Sequence, residues 1–268
     1  TAYVPTLGLE PLRGWISRYM ESEHQYPHNK DSWDFVISNG SQDLLQRIFD
    51  ILLDPEDTLI VEEYTYSGAL AAMWPVGCAI EPVSVDGGGL IPETLQTMLE
   101  TWDSSKRRFP RAIYLVPVAQ NPTGTSLNNS RKQQIYALAS RFDLVIIEDD
   151  PYWNLNFLDM EEDVVRQSFW TMDVDQRVIR LESLSKLTAV GYRVGWACAP
   201  NLFLQKLAFD VEAGPQSGSG VSQLIVHEMI KDLWTDTSKE LWTAFVNKIR
   251  ATYQARWKVV EDALNKHL

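Results

Sequence analysis

The 268-residue sequence predicts an α/β fold, a mostly parallel sheet flanked by helices on both faces in a three-layer α/β/α arrangement. Short apolar runs alternate with helical stretches along most of the chain. Two of those runs, 112–118 (AIYLVPV) and 144–148 (LVIIE), are almost continuously apolar, as strands covered on both faces must be. Polar turn motifs directly follow several strands, where such a sheet collects its ligands.

The elements follow in order. Residues 32–38 (SWDFVIS) read as a strand, and 41–53 (SQDLLQRIFDILL) as a helix with Ser41 placed to cap it. Next come a strand at 58–61, a helix at 66–74, a strand at 78–85 and a helix at 92–102 that opens with Pro92 and Glu93. A helix near 130–142 separates the two apolar runs, and 178–181 and 193–197 add two more strands. From Asn201 onward helices dominate, the last at 243–268 being long and amphipathic. Residues 3–8 are turn-like, and 86–89 (DGGG), 103–110 and 161–175 read as the flexible connections.

A composition 45% apolar supports a full core, and the formal charge is −12. With no basic block beyond Lys106, Arg107 and Arg108, that charge argues against nucleic acid or an anionic membrane as partner and favours a small-molecule substrate. No apolar run is long enough to span a bilayer and no leader opens the chain, so a soluble, cytoplasmic protein is expected. Cys78 and Cys198 sit inside apolar runs and read as buried thiols.

Four turns carry chemistry. Ser38-Asn39-Gly40-Ser41-Gln42 lies between a strand and a helix N-terminus, where free N–H groups and the helix dipole attract anions; on its own it reads as an ordinary capped helix start. Gln120-Asn121-Pro122-Thr123-Gly124 follows an apolar strand; besides making a tight turn, it offers an asparagine amide as a hydrogen-bond donor. Glu148-Asp149-Asp150-Pro151-Tyr152 ends a strand in three carboxylates, which need water, a metal or a cationic ligand nearby. His24, His28, His227 and His267 show no zinc spacing around it, so no metal site is assigned, although oxygen ligands alone stay possible. The fourth stretch, 182–196 (ESLSKLTAVGYRVGW), sets Lys186 among apolar neighbours, where an amine loses its charge readily and can attack a carbonyl. Arg193 stays cationic and suits a phosphate, with the hydroxyls of Ser183 and Ser185 beside it. An aldehyde-reactive amine, a phosphate cradle, a carboxylate for a ring nitrogen and donors for a ring oxygen together match the needs of pyridoxal 5'-phosphate.

In combining NPTG, EDDPY and SxSK with its following arginine, the sequence resembles the class I/II aminotransferases, fold-type I pyridoxal phosphate enzymes. It is most similar to the aromatic, kynurenine and 2-aminoadipate aminotransferases, over nearly the whole chain. The resemblance implies that Lys186 forms the Schiff base with the cofactor, that Asp149 pairs with the pyridine nitrogen, and that Asn121 and Tyr152 contact the ring hydroxyl. Asp149 is taken over Asp150 because the family places its tyrosine three residues after the aspartate. By the same likeness Ser41, Gln42, Ser183, Ser185 and Arg193 hold the phosphate, Tyr66 lies over the ring, and Tyr3 reaches the phosphate of the other subunit in a homodimer. It also implies that residues 1–268 are the large cofactor-binding domain of a longer enzyme, without the N-terminal segment and the small C-terminal domain that carries the substrate-carboxylate arginine.

The expected activity is transfer of an amino group from an aromatic or 2-aminoadipate-like amino acid to a 2-oxo acid such as 2-oxoglutarate. A lyase or decarboxylase on the same fold, and a non-catalytic ligand-sensing domain, are the alternatives. Tyr64, Tyr66 and Trp74 permit an aromatic substrate, but core packing accounts for those rings equally well.

Overall fold

The computed structural model describes residues 4–27, 30–156, 167–235 and 238–267, and its first element is one that the strand and helix alternation does not announce. Helix α1 (Glu10–His24) carries proline in its first turn and buries Leu12, Trp15, Ile16, Tyr19 and Met20, spaced three and four apart along one face. The alternation then proceeds through β1 (Trp33–Ser38), α2 (Ser41–Leu52), β2 (Thr58–Glu62), α3 (Ser67–Met73) and β3 (Ala79–Val83). A small hairpin of β4 (Val85–Asp86) and β5 (Gly89–Leu90) leads into α4 (Pro92–Glu100), β6 (Ala112–Leu115), α5 (Asn129–Arg141) and β7 (Val145–Asp149). The short helix α6 (Phe169–Met172) precedes β8 (Val178–Ser183) and β9 (Gly195–Pro200), and the helices α7 (Asn201–Ala213), α8 (Gly220–Ile230) and α9 (Glu240–His267) close the chain.

Among the described residues seven strands form one sheet in the order β1-β9-β8-β7-β6-β2-β3. The neighbours from β8 through β3 pair in parallel. Strand β9 runs against both β8 and β1, so it alone is reversed and β1 points the same way as the rest. Two cores cover the sheet. One packs Ile37, Ile113, Ile146, Val178 and Trp196 against α1, α4, α5, α6, α8 and the start of α9. The other packs Val36, Leu59, Ala112, Ile147 and Leu181 against α2, α3 and α7. Adjacent strand residues such as Ile146 and Ile147 therefore enter opposite cores, the period-two alternation that layered α/β packing demands.

Beyond α1, the sequence expectation differs from the structure in four further places, each with a physical reason. Ser41 is the first residue inside α2; the cap position falls to Gly40, whose φ of 95° is open to glycine. Strand β6 stops at Leu115 because the next N–H, that of Val116, donates to the Glu62 carboxylate at 3.1 Å instead of to a neighbouring strand. The DGGG stretch is held as the β4–β5 hairpin, with Asp86 gripped through both oxygens by Arg131 at 2.6 and 2.7 Å. Within 161–175, residues 161–166 lie outside the described residues, while α6 buries Phe169 and Trp170 completely. No helix among the described residues is long and apolar enough to cross a membrane.

Candidate functional site

The connections after β1, β2, β6, β7 and β8 all leave the sheet at one rim and line a single pocket there. It brings together Ser41 and Gln42, Tyr66, Asn121, Asp149 and Tyr152, Ser183 and Ser185, Lys186 and Arg193. Every sequence-predicted site residue within the described regions is thus at this pocket. Tyr3 lies outside the described residues.

One end of the pocket is built for an anion. The first turn of α2 has no side-chain cap, so its N–H groups and the positive end of its dipole face outward. Arg193 comes up beside it in a left-handed conformation, φ 52°, and its Nη1 donates to Ser185 Oγ at 3.2 Å. Ser183 Oγ donates to Ser185 Oγ at 3.0 Å, joining both hydroxyls to the guanidinium. Two glycines permit the crowding: a Cβ at Gly40 would stand 2.4 Å from Arg193 Nη2, and one at Gly195 would stand 2.7 Å from the Ser41 nitrogen. The side chain of Gln42 is already committed, its amide donating to the Gly68 carbonyl at 2.8 Å, which leaves its backbone N–H for an anion.

The opposite wall is acidic. Asp149 is 4% exposed, and Tyr114 donates to its Oδ2 at 2.9 Å, while Oδ1 has no hydrogen-bond partner among the described residues. Burial pushes this carboxyl up to about 6, with the Tyr114 hydrogen bond acting the other way. Asn121 hydrogen-bonds the Tyr152 hydroxyl, and burial followed by the Asp149 charge raises the pKa of that phenol. The Asn121 turn is set from behind: Gln120 Oε1 accepts from the Thr123 N–H at 2.9 Å and its amide donates to Glu62 at 3.3 Å. Glu62, buried, is itself raised to about 7. Half-buried Lys186 extends from the loop after β8, its Nζ 5.9 Å from the centroid of the Tyr152 ring.

For two of the three consecutive carboxylates, Glu148 and Asp150, the cation is Arg180 on β8, a residue for which the sequence gives no local signal. It is fully buried and lies 3.0 Å from Glu148, 3.2 Å from Asp150 and 2.8 Å from Glu182. Burial works against its charge, yet the three carboxylates outweigh that and hold its pKa above the ordinary value. Glu148 also accepts from the first N–H groups of α6 at 2.9 and 3.1 Å. Glu182 accepts from Tyr19 at 2.8 Å and lies 2.8 Å from His24; burial raises its pKa, but Arg180 prevails and sets it at about 2. Burial and the Arg180 charge together lower the pKa of His24.

Tyr114 and Arg180 were invisible because their partners come from other strands. The one signal was charge of alternating parity, Arg180 and Glu182 on one strand facing Glu148 and Asp150 on the next. Tyr64 and Trp74, 55% and 81% exposed, line neither the core nor the pocket, so of the three aromatic rings singled out only Tyr66 belongs to the site.

The chain matches the family "Aminotransferase class I and II" over residues 1–267. It is 38% identical over 238 residues to the mitochondrial kynurenine/alpha-aminoadipate aminotransferase of Rattus norvegicus, covering 85% of this chain and 55% of the relative. It is 36% identical over 246 residues to an L-tyrosine:2-oxoglutarate aminotransferase of Serpula lacrymans, covering 86% and 46%. Among solved structures, a Pyrococcus horikoshii kynurenine aminotransferase in complex with PMP superposes with a TM-score of 0.89 at 25% identity, over 100% of this chain and 62% of that one. The chain therefore spans about half the length of the curated relatives it matches.

Proposed function

The chain belongs to the class I and II aminotransferases, and on that premise we propose that it carries the cofactor site of an enzyme that moves an amino group from an aromatic or 2-aminoadipate-like amino acid to a 2-oxo acid such as 2-oxoglutarate. Pyridoxal 5'-phosphate is the cofactor in this reading. The observation that carries it is the buried, unpartnered Oδ1 of Asp149, in a pocket whose other end is a glycine-lined arginine and helix N-terminus. A protonated pyridine nitrogen satisfies the first feature and a phosphate the second, so the residues present fit the group.

The cofactor, when bound, supplies an electron sink for bond breaking at the substrate's α carbon. The rest falls to the chain's own residues. Asp149 would accept a hydrogen bond from the ring nitrogen and hold a proton there, an interaction that its burial strengthens. The backbone N–H groups of Ser41 and Gln42, the hydroxyls of Ser183 and Ser185 and the guanidinium of Arg193 hold the phosphate. Asn121 and Tyr152 donate to the ring hydroxyl oxygen, and Tyr66 shields the ring from water. Lys186 takes the proton from the α carbon and returns it as an acid.

Three further readings belong to the same proposal. Residues 1–268 act as the large cofactor-binding domain of a longer enzyme, a reading supported by the 55% share of the rat relative that the match spans. A homodimer is supported by the apolar side chains of Val221, Leu224 and Met229 exposed along α8, and Tyr3 would then reach the other subunit's phosphate. A cytoplasmic location is supported by Cys78 and Cys198, both free thiols.

Borohydride reduction with pyridoxal phosphate, followed by peptide mass spectrometry, tests the assignment. The label is expected on Lys186; Lys186→Ala should carry none and lose on the order of 10²–10⁴-fold in turnover, the usual worth of a positioned acid–base group. A label on another lysine, or turnover that survives the change, overturns it. Formation of the oxo acid, with no carbon dioxide or cleaved fragment, separates transamination from a lyase or decarboxylase.

A further inference from the structure

Tyr114 stands on β6, beside β7, and is fully buried in the core that α2 and α3 cover. Its ring meets that of Phe49 edge-on, with centroids 5.9 Å apart and planes at 73°. The core asks only for that ring. A phenylalanine would pack the same space, whereas a buried hydroxyl has to be matched to a partner, and here the partner is Asp149 Oδ2 at 2.9 Å.

The phenol acts in one direction only. Burial, then the charge and hydrogen bond of Asp149, then the charge of Glu62 raise its pKa well above the ordinary value, so it keeps its proton and donates. That donation does two things to Asp149. The terminal torsion of an aspartate is broad and roughly two-fold, so the backbone alone does not settle which oxygen a ligand meets. With Oδ2 tied to Tyr114, the oxygen left for a ligand is Oδ1, which has no partner among the described residues. The second effect is electrostatic. Burial drives Asp149 toward its protonated form, and the Tyr114 hydrogen bond is the largest influence opposing it, ahead of the charges of Asp150 and Arg180, which act in opposite senses. A donor at one carboxylate oxygen lowers the proton affinity of the other, so a proton shared across Oδ1 stays on the base that faces it.

We propose, resting on the pyridoxal phosphate reading, that Tyr114 is a positioning residue: its hydroxyl aims Asp149 Oδ1 at the ring nitrogen and keeps the proton between them on the nitrogen. Tyr114 does not line the pocket, so it acts through Asp149.

Equilibrium binding to the full-length protein of pyridoxal phosphate and of its deaza analogue, in which carbon replaces the ring nitrogen, tests this without reference to turnover. Tyr114→Phe keeps the ring against Phe49 and removes only the hydroxyl. It should weaken pyridoxal phosphate at least about tenfold, the usual worth of a hydrogen bond to a charged group, without weakening the analogue more than about twofold. In an Asp149→Asn background the same change should cost pyridoxal phosphate no more than about a further threefold, because the group it acts through is gone. In NMR of cofactor isotopically labelled at the ring nitrogen, the resonance should lie at the protonated position in the wild type and move toward the unprotonated one in Tyr114→Phe. Equal weakening of both ligands, the mark of a purely structural hydroxyl, overturns the role. So do full affinity in Tyr114→Phe, an undiminished loss in the Asp149→Asn background, or an unmoved resonance. If Tyr114→Phe alone does not fold, the double variant decides by comparison with Asp149→Asn. A wild type that binds the two ligands equally, or neither, overturns the cofactor reading instead, and the role of Tyr114 falls with it.

Discussion

Glu148 and Asp150 enter the core beneath α1, whereas Asp149 between them faces the other side of the sheet, and their circumstances are opposite. Beneath α1 the cation is resident: Arg180 reaches three carboxylates, and Tyr19 and the N–H groups of α6 take further oxygens. On the pocket side Tyr114 gives Asp149 its one hydrogen bond from a side chain among the described residues, and one buried oxygen faces no donor among them. Identical chemistry on one strand is thus structural where its counter-charge is built in and reactive where the counter-charge has to arrive from outside.

Removing the resident cation should break the contrast most severely. Arg180→Met leaves buried carboxylates unpaired and should destabilise by about 3–5 kcal/mol in urea unfolding, the usual consequence of orphaning one side of a buried ion pair. A loss under about 1 kcal/mol would show that the carboxylates had found other partners.

Asp149 should respond in the opposite direction. Its folded pKa of about 6 stands above the ordinary 3.8, so the folded protein binds this proton more tightly than the unfolded chain does. The resulting penalty on stability is absent below about pH 4, grows as the pH rises through 6, and is complete above it. Asp149→Asn should therefore stabilise the cofactor-free protein by on the order of 1–3 kcal/mol at pH 7.5, a gain that shrinks toward zero near pH 4. The same substitution should weaken pyridoxal phosphate binding at least about tenfold. Loss of stability at pH 7.5 would refute the idea that the carboxylate waits for a cation. The smallest effect is expected at Trp74, which touches neither region: Trp74→Ala should change stability by no more than about 0.5 kcal/mol and leave cofactor affinity alone.

Local signals made most of the sheet readable. Residues 112–115 and 144–147 are apolar on both faces, so they announce parallel strands without reference to any other part of the chain. The pocket was legible for a similar reason: a parallel sheet collects the ends of its strands at one rim, so motifs placed after strands must meet. What stayed hidden depends on register. Arg180 faces Glu148 only because β7 and β8 pair as they do, and the strand order that seats them side by side is not written in either segment. Helix α1 has a legible stripe, but it fills no place in a strand and helix alternation.

The reversal of β9 has a geometric corollary. A chain leaving β8 toward another parallel strand would have to travel the full height of the sheet before returning, and whatever it carried would be strung along that journey. Here it turns back at once, so residues 184–194 form a loop fastened at both ends to adjacent strands, and Lys186 and Arg193 ride on it together. The reach between amine and guanidinium is thereby set by one short span whose lengthening or shortening leaves every other strand pairing untouched, an adjustable jaw mounted on a rigid frame.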